Sequence, residues 1–193
     1  MPDMITEPGR PDWFALQVRT RWEQSTAKIL SGKGYEILLP TYEIERRSRG
    51  NGKIVEAPLF PGYVFCRFDV LKRLPILVTP GVISVVSRGK VPVPIDHPEM
   101  AAIQTLVASG AQAEPWPYLE IGERVRIEDT VLQGLEGILI AFKGKHRVVV
   151  SVTLLQRSVA LEIDRARISV IQRGPIAETE PASFGPVADK VIA

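Results

Sequence analysis

Leu59-Phe60-Pro61-Gly62-Tyr63-Val64-Phe65-Cys66-Arg67-Phe68 is the stretch on which the fold turns. Beyond Gly62 large apolar residues alternate, which predicts a central strand. Upstream, Trp13–Val18 has the pattern of a buried strand and is interrupted by Arg19-Thr20-Arg21. Trp22, Thr26, Ile29 and Leu30 then recur at helical spacing, and Gly32 and Gly34 supply stop signals. Tyr35–Pro40 reads as extended. Thr41–Arg49 and Lys53–Pro58 flank Gly50-Asn51-Gly52, a hairpin turn signal, and Arg46, Arg47, Arg49 and Lys53 make the tip basic.

Downstream, Leu71–Val78 is a short apolar segment, helical around Pro75. Thr79-Pro80-Gly81 is a turn and Val82–Val86 a further strand. Asp96 and Glu99 have the spacing of a capping box ahead of a helix whose apolar face is Met100, Ile103, Leu106 and Val107, ending at Gly110. This order predicts, over residues 13–110, an α+β domain with a mainly antiparallel sheet and flanking helices. Ala111–Pro117 holds Pro115 and Pro117, lacks periodicity and reads as a linker. Strands expected at Arg124–Glu128, Glu136–Phe142, Arg147–Leu154, Val159–Ile163 and Arg167–Ile171 predict a small all-β five-stranded barrel over 118–173. Residues 1–12 read as a disordered leader, and the Pro- and Ala-rich residues 174–193 as a disordered tail.

Composition narrows the function classes. Hydrophobic residues make up 45% of the chain and charged residues 24%, enough for real cores. Cys66 is the only cysteine, so neither a disulfide framework nor a cysteine metal site is expected, and a reducing cytosol fits. No apolar run approaches about 18 residues, so no membrane span is expected. Residues 13–110 carry 13 Lys+Arg against 8 Asp+Glu, a mildly basic balance that permits nucleic-acid contact without requiring it.

Catalysis needs a positioned acid, base, nucleophile or metal. His97 beside a helix cap and His146 in a turn lack ligand clusters and read as surface residues. Cys66, in an apolar strand, reads as a buried inert thiol. Gly32-Lys33-Gly34 and Gly50-Asn51-Gly52 are too short to cradle phosphates. No cofactor, metal or catalytic residue is expected, and the chain reads as a non-enzyme.

Phe60-Pro61-Gly62-Tyr63-Val64 resembles the signature of the N-terminal domain of the NusG family, and Thr79-Pro80-Gly81-Val82 its second marker. Trp13-Phe14-Ala15-Leu16 and the following helix are similar too. Gly122-Glu123-Arg124-Val125-Arg126-Ile127 followed by Leu135-Glu136-Gly137 resembles a KOW motif, and Ser151-Val152-Thr153-Leu154 to Glu162 its later strands. The resemblance covers roughly Trp13 to Val170 and implies a bacterial, cytoplasmic, monomeric transcription elongation, termination and antitermination factor. Such a factor binds the clamp helices of RNA polymerase, bridges the cleft towards the gate loop, favours the closed clamp and suppresses pausing. Some members contact non-template DNA. The KOW domain recruits further partners, such as a ribosomal protein or the Rho terminator.

Carried onto this chain, the resemblance places clamp contact at Phe60, Tyr63 and Phe65, and gate-loop contact at Lys72, Arg73 and Leu74. It places DNA contact at Arg19, Arg21 and Trp22, and KOW partner contact at Leu154, Leu155 and Arg157. The residue types alone leave a second reading open: the aromatics and Trp22 pack a core, and the arginines are simply solvated. Two departures stand out. Relatives carry a Gly-Pro turn where this chain has Thr130-Val131-Leu132, and an aromatic and a glycine where it has Leu155-Gln156. These favour a specialised paralogue over a divergent general factor. The other class, a ribosome- or RNA-associated KOW protein, has no need of the Phe60–Phe65 motif and would be far more basic.

Overall fold

Two alternating apolar strands and the helix between them generate the first unit. The structure, a computed structural model, describes residues 11–48, 51–116, 118, 122–129, 131–142, 145–174 and 177–178. It divides into two compact units, 1–113 and 114–193. In chain order the first contains β1 (Trp13–Val18), α1 (Glu23–Gly32), β2 (Glu36–Leu38), β3 (Thr41–Ser48), β4 (Asn51–Pro58), β5 (Tyr63–Arg67), α2 (Leu74–Leu77), β6 (Val82–Val85), β7 (Ser87–Arg88), β8 (Val91–Pro92) and α3 (His97–Ser109).

The main sheet has the order β2-β5-β1-β6, and every pairing is antiparallel, so the α+β expectation is met. Register follows from side-chain alternation. Phe14 faces Cys66 and Leu16 faces Val64 across the β1–β5 ladder. On that face Phe14, Leu16, Val18, Val64, Cys66 and Phe68 pack with Leu30 of α1, Ile76 of α2 and Val85 of β6. The alternate residues are buried too: Trp13, Ala15 and Phe65 are solvent-inaccessible or nearly so. A sheet covered on both faces accounts for the apolar density of Tyr63–Phe68. The Arg67 guanidinium lies 4.8 Å from the centre of the Trp13 ring and donates to Glu36 at 3.0 Å, which lets a charged residue sit on a covered strand.

The basic hairpin forms, but one step displaced from the sequence reading. Ser48 pairs with Asn51 and Arg47 with Gly52, so Asn51 and Gly52 open β4 instead of forming the turn. Residues 49 and 50, which join the strands, lie outside the described residues. Asp96 stands at the N-cap of α3, yet its carboxylate makes no capping hydrogen bond; its carbonyl accepts the first intrahelical bond, from Met100 N at 2.9 Å. The side-chain cap expected from Asp96 is not formed. Residues 1–10 of the leader and most of the tail also lie outside the described residues, while Asp12 is tied to the first unit, its carbonyl accepting Phe68 N at 3.3 Å.

The second unit is all β: β9 (Ala113–Trp116), β10 (Glu123–Ile127), β11 (Glu136–Phe142), β12 (Lys145–Val152), β13 (Arg157–Ile163), β14 (Ile168–Gln172) and β15 (Ala177–Glu178). The five expected strands are present in the order β14-β10-β11-β12-β13. Two more join them, β9 on β13 and β15 on β11. The sheet among the described residues therefore has seven strands, not five. Residues 113–116, read as linker because of Pro115, are strand. Trp116 explains this: it is fully buried against Ile138, Ile140, Val149 and Ala160, and burying an aromatic of that size repays the ordering of the segment. Arg147 stacks over the same ring at 5.1 Å and pairs with Glu114.

The glycine of the KOW-like motif has a steric reason. A Cβ on Gly137 would stand 2.5 Å from Val149 O and 2.6 Å from Val148 Cγ1, so β11 approaches β12 as only glycine permits. His146, expected in a turn, lies instead in β12 opposite Ala141 and Ile163.

Candidate functional site

The loop Arg19–Trp22 leaves β1 and enters α1, and two distant turns hold it. Val18 N donates to Gly62 O and Arg19 N to Gly81 O, each at 2.8 Å. Helix α1 grips the same turns with side chains. The Glu23 carboxylate accepts the Gly62 amide at 2.9 Å, and the Thr26 hydroxyl donates to Pro80 O at 3.2 Å. Both side chains are buried, so each bond also satisfies a group that water does not reach. The turn sits directly on the helix: a Cβ on Gly81 would lie 2.2 Å from Thr26 Oγ1 and 3.1 Å from Trp22 Cε3. Within this frame Arg21 takes a left-handed conformation at φ 69°, unusual for a side chain with a Cβ. Arg19 and Arg21 are exposed, and Trp22 beside them is 42% exposed.

A second surface follows β5. The Asp69 carboxylate accepts Leu71 N at 2.9 Å and opens a 3-10 turn over Val70–Lys72, which runs into α2 with proline in its first turn. Only Ile76 of α2 is buried. Lys33, at the C-terminus of α1, reaches across: its ammonium donates to Pro75 O at 3.0 Å and to Thr79 Oγ1 at 2.7 Å, while that hydroxyl donates to Pro75 O at 2.9 Å. On the segment so held, Leu71 is 90% exposed, Leu74 68% and Val78 66%. Lys72 and Arg73 lie exposed among them.

The aromatics of the 60–65 motif divide. Phe60 and Phe65 are buried and meet edge to face, ring centres 5.3 Å apart. Tyr63 is half-buried. In the second unit a 3-10 turn over Thr153–Leu155 ends at Gln156, which is left-handed at φ 50°. Leu155 is buried, whereas Leu154 and Arg157 are partly exposed. Arg157 Nη1 donates to Gln156 O at 3.2 Å.

The titratable groups that could carry chemistry are otherwise engaged. Burial pushes the Cys66 thiol up to about 12, far from a nucleophile's range. His97 lies 3.5 Å from Asp12. Among the described residues no group of three or more His, Cys, Asp or Glu could hold a metal ion, and no helix is long and apolar enough to cross a membrane.

A family model described as transcription termination factor nusG matches residues 11–104. The transcription termination/antitermination protein NusG of Pseudomonas aeruginosa is 30% identical over 141 residues, covering 70% of this chain and 80% of that protein. The chain belongs to the NusG family. The Helicobacter pylori NusG is 26% identical over 173 residues, covering 83% of this chain and 98% of its own length. A solved structure, "Domain interaction in Thermotoga maritima NusG", shares the fold at a TM-score of 0.52 and 20% identity, over 83% of this chain and 97% of that one.

Membership gives the two NusG motifs a local meaning. Phe60–Val64 and Thr79–Val82 are turns that clasp the Arg19–Trp22 loop and α1. The structure brings Arg19, Arg21 and Trp22 together on one exposed loop and Lys72, Arg73 and Leu74 on one exposed segment. Phe60, Phe65 and Leu155 are buried. For Trp22 the core reading fails, since nearly half its surface is open. Glu23, Thr26 and Lys33 were missed as framework residues: their partners lie 39, 54, and 42 and 46 residues away, a separation no local pattern encodes.

Proposed function

We propose that the first unit docks on RNA polymerase through the Leu71–Val78 segment and Tyr63, and that this docking is how the chain acts in termination and antitermination. The observation that carries the reading is the exposure of Leu71, Leu74 and Val78 within eight residues of a segment pinned by buried Ile76 and by Lys33. Large apolar side chains held out of a core on a fixed frame mark a protein contact. Lys72 and Arg73 among them add steering towards an acidic surface.

The family resemblance aligns this segment with the gate-loop contact and the Phe60–Phe65 strand with the clamp-helix contact. Since Phe60 and Phe65 are buried, their part is to shape the strand that presents Tyr63. A domain that joins both walls of a cleft stabilises the closed form by its higher affinity for it, and no bond chemistry is required. Arg19, Arg21 and Trp22 face non-template DNA: two cations for phosphate and a ring on which an unpaired base can stack. In the second unit Leu154 and Arg157 offer the surface to a further partner, a ribosomal protein or the Rho terminator. The full-length chain is to be titrated against core RNA polymerase. Saturable binding is expected, competed by the Pseudomonas aeruginosa relative; no binding overturns the reading.

A further inference from the structure

Lys33 closes α1 with its backbone and holds α2 with its side chain. Its amide donates to Ile29 O at 3.1 Å and Leu30 O at 3.0 Å, ending one helix. Its ammonium sits on Pro75 O at 3.0 Å and Thr79 Oγ1 at 2.7 Å, where the short helix Leu74–Leu77 runs into the Thr79-Pro80-Gly81 turn. A charged donor makes stronger hydrogen bonds to a carbonyl and a hydroxyl than a neutral one does. α2 has four residues, too few to persist by its own backbone bonds. It buries one side chain, Ile76, while its neighbours Leu71, Leu74 and Val78 project outward and add nothing to its hold.

We propose that Lys33 is a positioning residue for polymerase binding: by tying Pro75 and Thr79 to the end of α1, it holds Leu74 and Val78 in the orientation that docks. The inference rests on the reading that the Leu71–Val78 segment is a polymerase contact. Thr79 is its partner, since its buried hydroxyl accepts from Lys33 and donates in turn to Pro75 O at 2.9 Å. Because α1 also holds Gly62 through Glu23 and Pro80 through Thr26, one helix sets the spacing of all three contact regions. The contact segment is thereby ordered before binding, which removes part of the entropy that docking would otherwise cost.

The test uses the full-length chain and core RNA polymerase, with Lys33→Met, Lys33→Arg, Leu74→Ala and the Lys33→Met/Leu74→Ala double variant. Lys33→Met is expected to weaken binding by roughly threefold to tenfold. Its melting temperature should fall by only about a few degrees, since Lys33 itself is exposed while its acceptor Thr79 is buried. Lys33→Arg should recover most of the affinity. Amide exchange at Val78 and Thr79 should quicken in free Lys33→Met and not elsewhere, a readout that a general loss of stability would not give. In the double variant the two effects should combine to less than their product, since both act through one segment. Unchanged affinity in Lys33→Met, with Leu74→Ala weakened, overturns the positioning role and leaves the docking reading standing. Unchanged affinity in Leu74→Ala overturns the docking reading itself.

Discussion

The carboxylate of Glu23 accepts the backbone amide of Gly62 at 2.9 Å, across 39 residues of chain. This bond, with that of Thr26 to Pro80 O, makes α1 the bracket on which both NusG-family turns are mounted. Gly62 and Gly81 supply the positive φ of these turns, and Arg19, Arg21, Leu71, Leu74 and Val78 lie exposed beside them.

Glu23→Ala is expected to lower stability by about 1–2 kcal/mol, because it leaves the part-buried Gly62 amide without its acceptor. Glu23→Gln keeps a carbonyl oxygen at the same reach and should lose less. Chemical denaturation of the two variants side by side checks this; equal losses would show that the carboxylate's charge, which glutamine lacks, and not a neutral acceptor, holds the Gly62 amide.

Gly81→Ala should be worse. Its φ of 91° disfavours any side chain, and the new Cβ would fall 2.2 Å from Thr26 Oγ1. A loss of about 2–3 kcal/mol or more follows from strain and clash together. Adding Thr26→Ala removes the shortest contact but neither the Trp22 contact at 3.1 Å nor the left-handed penalty, so thermal melts should show partial rescue only. Full rescue would contradict the backbone argument.

Gln156 is left-handed at φ 50°, a conformation that glycine adopts at the least cost. Gln156→Gly should stabilise the second unit by about 0.5–1 kcal/mol, the left-handed penalty less the extra chain entropy of glycine. A melt that falls on this substitution would mean that the Gln156 Nε2 bond to Thr153 O at 3.0 Å outweighs the strain.

Alkali should find Cys66. Burial raises its thiol from 9.0 to about 12, so the folded state keeps the proton that the unfolded state gives up first. The raised value means stability is intact below pH 9 and falls as pH climbs from 9 towards 12. Cys66→Ala removes this term, and its stability should decline less steeply over that window. Tyr42, also raised by burial, contributes above its ordinary 10.0 in both proteins and cancels in the comparison. Parallel slopes would contradict the assignment.

Much of this was legible in the sequence, for physical reasons that also mark where legibility stopped. Trp13–Val18 and Tyr63–Phe68 were readable as strands because covered strands need dense apolar residues. Pro115 misled: it forbids a central ladder position, but a strand added at one side of β13 tolerates it while Trp116 fills the core. Asn51-Gly52 is a strong turn dipeptide, yet the Ser48↔Asn51 register places both residues in β4. For Phe60 and Phe65 the residue type serves core and interface equally, and only the covering of both sheet faces decides for the core. Leu71, Leu74 and Val78 read as apolar, but their outward direction depends on Ile76 and Lys33, partners that no spacing rule supplies.

The most direct test of the account is the affinity of Leu71→Ser/Leu74→Ser for core RNA polymerase, measured beside its melting curve. Both side chains are exposed, at 90% and 68%, so the fold should melt at the parent temperature. Affinity should fall on the order of tenfold or more, the loss of two apolar anchors from a protein contact. An unaltered melt with unaltered affinity would contradict the claim that this segment is where the chain meets polymerase.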